Sequence, residues 1–458
     1  TLDLDSGPHV LHVQSTTDGF LAYKVGEAGS FSTDWDDNGS GQDIQLANLT
    51  SLQLNVEDNA KTKVGGDLTD LPELKEQTLN LGNLALPGID FTVDAPITVM
   101  VGEQAILSTR DLGDGATDLV VDESDGDSGD VRIQAQVITV AEGATIATHV
   151  VNPDGQNYGA GDIELVAAVY SCYCYAWQNP GDSTEGADFA FEVTLLEGAS
   201  LLATADGDVT SDRSGDITIE AWQDMESGNA GGAFIYNSSR TEAKVTIDGA
   251  HVEGRNVKID VRADSDHAFS DGGEERTSRI SEEVFNEPSD NTDYSIIAGI
   301  SESYANADIL IGTNTSTATS TTIRAHSLGL LTEADAEAEV AVRSSFLGFA
   351  LAIAEPHSLI EVDNAQIIVA DNLTVDSFAD GKVYSKAQSG DVRFISQGSS
   401  VEVTTAVSVL RGDSKTRFGA DSDVYVGGTA DIRSDYIKNQ FVSATSTTKG
   451  ENSKLGLA

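Results

Sequence analysis

The sequence predicts an all-β fold: a β-solenoid of parallel strands with irregular loop insertions. Three observations predict it. A short cycle recurs in which a small residue, Gly and Asp open an alternating strand. The strands are short, rich in Val, Ile, Ala and Thr, and poor in aromatics. No Pro-rich or Ser/Gly-rich linker divides the 458 residues, which hold only eight prolines. One such strand cannot bury its apolar face alone, whereas copies stacked about 4.8 Å apart bury it continuously. A β-sandwich would show hairpin turns such as Asn-Gly and a more aromatic core.

The cycle is clearest between Gly126 and Tyr170. Ser128-Gly129-Asp130 leads into Val131–Ala135, Val137–Val140 follows, and a Glu142-Gly143-Ala144 corner releases Thr145–Thr148. The turn returns as Ala160-Gly161-Asp162, as Ser214-Gly215-Asp216 and as Ser389-Gly390-Asp391, and the corner as Glu197-Gly198-Ala199. Gly supplies backbone freedom, and Asp offers a carboxylate to the turn backbone. Residues 1–95 form a less regular N-terminal set of coils: Ile44–Leu54 reads as solenoid strands and Pro72–Glu76 as one helical turn. Residues 96–458 form the body. Within it Tyr170–Trp177 is an aromatic anomaly, Ala243–Ala250 and Val257–Val261 alternate well, and 264–293 reads as an acidic, projecting insertion. Ala334–Arg343 alternates with a strict period of two, which favours strand over helix, and Phe346–Ala354 suits a buried strand. With about 25 residues per coil there would be about 18 coils spanning roughly 85 Å. Both ends read as cut from a longer array, with exposed edges available for head-to-tail stacking.

Asp and Glu number 75 against 26 Lys and Arg, a formal charge of −49. Phosphate binding requires Lys/Arg clusters, so nucleic acid is excluded as a partner and anionic membrane surfaces are disfavoured. So large a charge opposes compaction unless cations or salt screen it. Calcium, a saline habitat and plain solubility each account for it. No uninterrupted apolar run approaches 18 residues, so no membrane-spanning segment is predicted.

Two acidic loops are candidate calcium sites. In the first, Asp34, Asp36, Asn38 and Ser40 place oxygen ligands at alternate positions, as in the opening half of an EF-hand loop. Gln45 stands where the bidentate Glu would be, and Asp43 is the substitute. The second loop offers Asp122, Asp125 and Asp127, with Asp130 behind them. Either loop reads equally as a solvated acidic turn. Asp206, Asp208 and Asp212 are a weaker set. Cys172 and Cys174 lie too close in sequence for an easy disulfide and lack the further ligands of a zinc site. The seven histidines are scattered, and no catalytic residue is assigned. Arg411-Gly412-Asp413 spells an integrin-binding tripeptide, expected here by chance.

The set SGDVRIQA, ITVAEGATI, AGDIELVA and VTIDGAHVEGRNVKIDVRA, with Ser-Thr-Arg at 108–110, is similar to the filamentous-haemagglutinin-like right-handed parallel β-helices. The likeness covers roughly residues 95–440. These helices occur in large secreted bacterial surface proteins and adhesins, and the resemblance implies an extracellular stalk or filament with no active site to carry over. The expected function is therefore a structural or adhesive, non-catalytic segment, stabilised by calcium. Its expected partners are other copies of itself, neighbouring segments of a longer chain, or surface glycans. The alternative is a calcium-dependent polysaccharide lyase or a glycan-binding β-helix, the latter through Tyr173, Tyr175 and Trp177. A lyase would need Lys or Arg beside carboxylates, and basic residues are sparse; a glycosidase would need only two suitably spaced carboxylates.

Overall fold

The computed structural model describes residues 10–26, 30–35, 44–55, 78–111, 123–168, 190–227, 234–270, 296–314, 319–344, 347–389, 401–446 and 455–457. These form 25 strands and one 3-10 turn at Leu46–Asn48. The chain begins with an antiparallel hairpin, β1 (Val10–Ser15) and β2 (Leu21–Val25). Parallel tiers follow. The first is β3 (Ser51–Asn55), β4 (Thr78–Leu81) and β5 (Leu84–Ala85); the second is β6 (Asp90–Val101) and β7 (Ile106–Ser108). The third is β8 (Val131–Val140) and β9 (Thr145–Ala147), and the fourth β10 (Ile163–Ala167), β11 (Ala190–Leu195) and β12 (Ser200–Ala203). β13 (Ile217–Ser227), β14 (Phe234–Ile247) and the start of β15 (His251–Ser270) make the fifth. The rest of β15, β16 (Ile296–Ile311) and the start of β17 (Thr321–Ser344) make the sixth. The seventh is the rest of β17, β18 (Leu347–Val362) and β19 (Ala365–Val369). β20 (Leu373–Ser389), β21 (Val401–Leu410), β22 (Asp413–Phe418) and β23 (Asp423–Val426) form the eighth; β24 (Ala430–Ser446) and β25 (Leu455–Leu457) form the ninth.

The tiers stack in register along three walls, an all-β arrangement with a long parallel sheet, consistent with a β-solenoid or β-helix. On the first wall Leu52, Phe91, Val131, Ile163, Ile217, Val257, Leu328, Leu373 and Ala430 are successive partners. On the third, Leu84, Leu107, Ile146, Leu201, Val252, Ile323, Ile367 and Val424 make the equivalent column. Nine tiers at about 4.8 Å per step give a ladder of about 38 Å. The expected 18 coils and 85 Å are corrected accordingly. A turn of the chain takes 32 residues from Val131 to Ile163 but 71 from Val257 to Leu328. Corner insertions and lengthening strands set the coil, not a fixed period.

The two kinds of glycine in the repeat do different jobs. The corner glycines Gly143, Gly198 and Gly249 have φ of +68°, +77° and +63°, the left-handed region expected for them. The turn glycines Gly129, Gly161 and Gly215 need space instead. A β-carbon on Gly161 would lie 2.2 Å from Gly129 O, and one on Gly215 would lie 2.0 Å from Gly161 O. The aspartates after them also act between tiers, not within their own turn. Asp90 Oδ1 accepts from Asp130 N at 3.0 Å, Asp130 Oδ1 from Asp162 N at 2.8 Å, and Asp162 Oδ1 from Asp216 N at 2.7 Å.

In the lower tiers the interior holds large aliphatics such as Leu81, Phe91, Ile133 and Leu165. Higher up, the first and second walls run long and face each other, and the interior changes to Ala334, Ala336, Ala338, Ala350, Ala352 and Ala354. Hydroxyls span the gap: Ser385 Oγ donates to Ala350 O at 3.1 Å, and Ser377 Oγ to Ser358 O at 3.1 Å. A one-carbon side chain that reaches the opposite backbone requires walls closer than the roughly 10 Å of ordinary stacked sheets. Small residues are what permits this.

Two differences from expectation are local. Asp264–Ser270 is not part of a projecting insertion; it continues β15, paired with β17 from Asp264↔Asp335 to Ser270↔Ala341. The rest of that segment, 271–295, lies outside the described residues, as do Tyr170–Trp177 and Pro72–Glu76. Arg411-Gly412-Asp413 has a structural reason. Pro356 has no N–H to offer the next tier, so the strand stacked on β18 breaks there into β21 and β22. Gly412 fills the break with φ +154°, and a β-carbon on it would lie 2.2 Å from Pro356 O.

Candidate functional site

Charge concentrates on the outer face of the first wall, across β13, β15, β17 and β20. Alternation sends Ala263, Ser265, Ala334, Ala336 and Ala379 inward and leaves the acids between them outward. Register then stacks like on like. Asp224, Asp264, Asp335 and Asp380 form one column, and Asp266, Glu337 and Lys382 the next. Stacked like charges repel at the spacing of adjacent strands.

Their environment raises their affinity for protons. Burial is the largest cause and pushes the Asp264 carboxyl up to about 8, with Asp266, Asp335 and Asp224 adding to it and Lys382 opposing. Burial and then Glu337 and Asp335 push Asp266 up to about 7. Glu337 rises to about 7 through burial and then Glu339. Asp335 is raised by burial against the pull of Lys382. Asp264 Oδ1, Asp335 Oδ1 and Asp380 Oδ1 are buried without a hydrogen-bond partner. Lys382 Nζ lies 3.2 Å from Asp335 Oδ2, 3.5 Å from Asp380 Oδ2 and 3.7 Å from Glu337 Oε2. Burial pulls its ammonium down, but those carboxylates outweigh it and hold it above the ordinary lysine value. The arrangement takes up protons near neutral pH.

Beside these columns an open groove of about 310 Å³ is lined by Val166, Trp222, Glu220, Lys258, Asp260 and Arg262 among others. Its charges are mutually paired. Lys258 Nζ lies 3.1 Å from Glu220 Oε1 and 2.8 Å from Asp260 Oδ2, and Arg262 Nη2 lies 2.9 Å from Asp260 Oδ2. Burial opposes ionisation of Asp260, but Arg262 and Lys258 prevail and lower its pKa. On the third wall, buried Glu253 accepts from Arg324 Nη1 at 2.8 Å and pairs with His251 Nε2 at 2.9 Å.

The residues expected to bind calcium are placed as follows. Asp36, Asn38, Ser40, Asp43 and Asp122 lie outside the described residues. Asp34 sits behind the hairpin, where its carbonyl accepts from Tyr23 Oη at 3.2 Å and its N–H donates to Ser32 Oγ at 3.1 Å. Asp125 is exposed, and Asp127 Oδ1 accepts from Gly159 N at 2.7 Å. Among the described residues no group of three or more His, Cys, Asp or Glu is arranged to hold a metal ion. The weaker set is occupied locally: Asp206 accepts from Asn152, Asp208 from Thr210, and Asp212 pairs with Arg255. Sequence reasoning missed the acidic columns. Their signal was the continued alternation of VKIDVRADSDH and its match to the acid positions of ADAEAEV.

No family model, curated protein or solved structure matches the chain. No described helix is long and apolar enough to cross a membrane.

Proposed function

We propose that the chain is a structural or adhesive, non-catalytic segment of a large secreted bacterial surface or filament protein. In this reading it is a right-handed parallel β-helix of the filamentous-haemagglutinin-like kind. The observation that carries it is the nine-tier column from Leu52 to Ala430, which makes one stiff body of three continuous walls. Parallel crossovers are right-handed in nearly all sheets, which supports the hand. Antibodies raised against the chain should label intact, unpermeabilised cells of its source. Labelling only after permeabilisation would overturn the reading.

Calcium belongs to the proposal through residues 34–43 and 122–127, where carboxylates are dense in the sequence. A circular dichroism melt in millimolar calcium and again in chelator, at constant ionic strength, tests it. A clear calcium-dependent rise in midpoint supports structural ion sites; identical midpoints remove calcium from the account.

A second reading, glycan binding or hydrolysis, is favoured by one observation: exposed Trp222 in a groove beside carboxyls that hold protons near neutral pH. An exposed indole offers a sugar an apolar face, and a raised carboxyl is what a general acid requires. Unchanged glycan-array binding and no product release after Trp222→Ala would dispose of it.

A further inference from the structure

We infer that the C-terminal end of the ladder is a docking face for a second copy of this chain, joined end to end about a two-fold axis through β24. This deepens the self-assembly part of the proposed function and is independent of where the protein resides.

Among the described residues the ladder partner of β24 is β20 alone, so its other edge presents 17 residues of backbone donors and acceptors. Ile432, Ile437, Phe441 and Val442 on this strand are 44–51% exposed, and Tyr425 on β23 is 58% exposed. A long edge carrying exposed apolar side chains is a template for strand addition.

Three features select the occupant. First, charge: β24 contains Asp431 and Asp435 against Arg433 and Lys438, so it is neutral in a chain of net charge −49. A second copy meets no electrostatic penalty at this strand, although it would elsewhere. Second, the strand is self-complementary. Antiparallel pairing centred on Ile437 sets Ile437 opposite itself and Ile432 opposite Val442. It also sets Arg433 opposite Phe441, Tyr436 opposite Lys438 and Asp435 opposite Asn439. No like charges face each other, and two cations meet two aromatic rings, each pair occurring twice by symmetry. Because paired residues share parity, inward side chains of one copy continue the inward face of the other. Third, the other end does not match. There the first wall finishes in β3, five residues long, and the neighbouring wall is closed by the β1–β2 hairpin. Head-to-tail stacking would pair five residues, whereas end-to-end stacking pairs fifteen, from Ala430 to Ala444.

Analytical ultracentrifugation of the 458-residue chain tests this. The expected result is a reversible dimer of about twice 48.0 kDa, with no larger species. Ile437→Lys puts two lysines on the axis and should lower the association constant at least tenfold, with the strand spectrum unchanged because Ile437 is exposed. A second variant reads the register. Residues directly opposite in an antiparallel pair lie about 4.5–5.5 Å apart, within disulfide reach. In a Cys172→Ser, Cys174→Ser background, Ile437→Cys should therefore oxidise to a covalent dimer, while Ser422→Cys should not. A monomer at tens of micromolar, an open-ended series of oligomers, or a dimer indifferent to Ile437→Lys would each overturn the inference. All three leave the labelling test of the proposed function unaffected.

Discussion

Gly161 has no room for a β-carbon, and that single fact sets the tightest spacing in the molecule. Its neighbour is a backbone carbonyl, Gly129 O, 2.2 Å from where the added carbon would lie, so no side chain can swing aside. Gly161→Ala should cost about 2–4 kcal/mol, the range of severe overpacking and backbone strain, read as a lowered urea midpoint. Gly155→Ala is the contrast. It has open space around it but a φ of +85°, so only local strain of about 1 kcal/mol is expected. The recurrence of Gly-Asp was legible in the sequence, but its reason was not. A turn glycine and a close-approach glycine look the same in one dimension, and only the stacked tier reveals which is needed. The same holds for Asp130 and Asp162, whose acceptors serve the N–H of a residue 32 and 54 positions on.

At the scale of the element, the wall of β13, β15, β17 and β20 is a proton-holding surface, and its sign follows from its shifts. Asp264 holds its proton up to about pH 8 when folded but releases it near its ordinary value of 3.8 when unfolded. Between those limits the folded state binds more protons, so stability falls as pH rises from about 4 to about 8 and then levels. Asp266 and Glu337 act in the same direction up to about 7. Asp264→Asn should flatten that slope and stabilise the protein at pH 8 by about 1–3 kcal/mol. Asp154→Asn, which removes the same formal charge at an exposed turn, should not. An unchanged slope in Asp264→Asn would show that the column does not govern the pH response. Lys382→Met strips the one ammonium that serves Asp335, Asp380 and Glu337. It should cost about 1–3 kcal/mol at pH 8, less than a fully buried pair because the site is partly solvated. The cost should shrink at pH 5, where the acids hold protons. Period-two alternation made Ala334–Arg343 readable as a strand, yet Asp264–Ser270 read as a loop. A run of acids resembles solvent-facing coil until register shows what it is stacked upon.

At the scale of the whole molecule, the account rests on tiers that climb one strand spacing at a time. The three-walled parallel plan was legible because each strand alternates and each corner carries its glycine. The number of tiers was not, because insertions between Ala167 and Ala190 or Ser270 and Ile296 leave the ladder unchanged while stretching the chain between tiers. The most direct measurement is pulsed electron resonance between spin labels on one outward column, in a background with Cys172 and Cys174 replaced by Ser. Thr92, Arg132, Glu164, Thr218, Lys258, Gly329, Thr374 and Asp431 are successive partners on that column. Labels at Thr92 and Gly329 are five steps apart, about 24 Å, and labels at Thr92 and Asp431 seven steps, about 34 Å. Distances that grow in proportion to tier number are the predicted result. A separation that stays flat or shortens from Gly329 to Asp431 would contradict the stacked ladder and everything built on it.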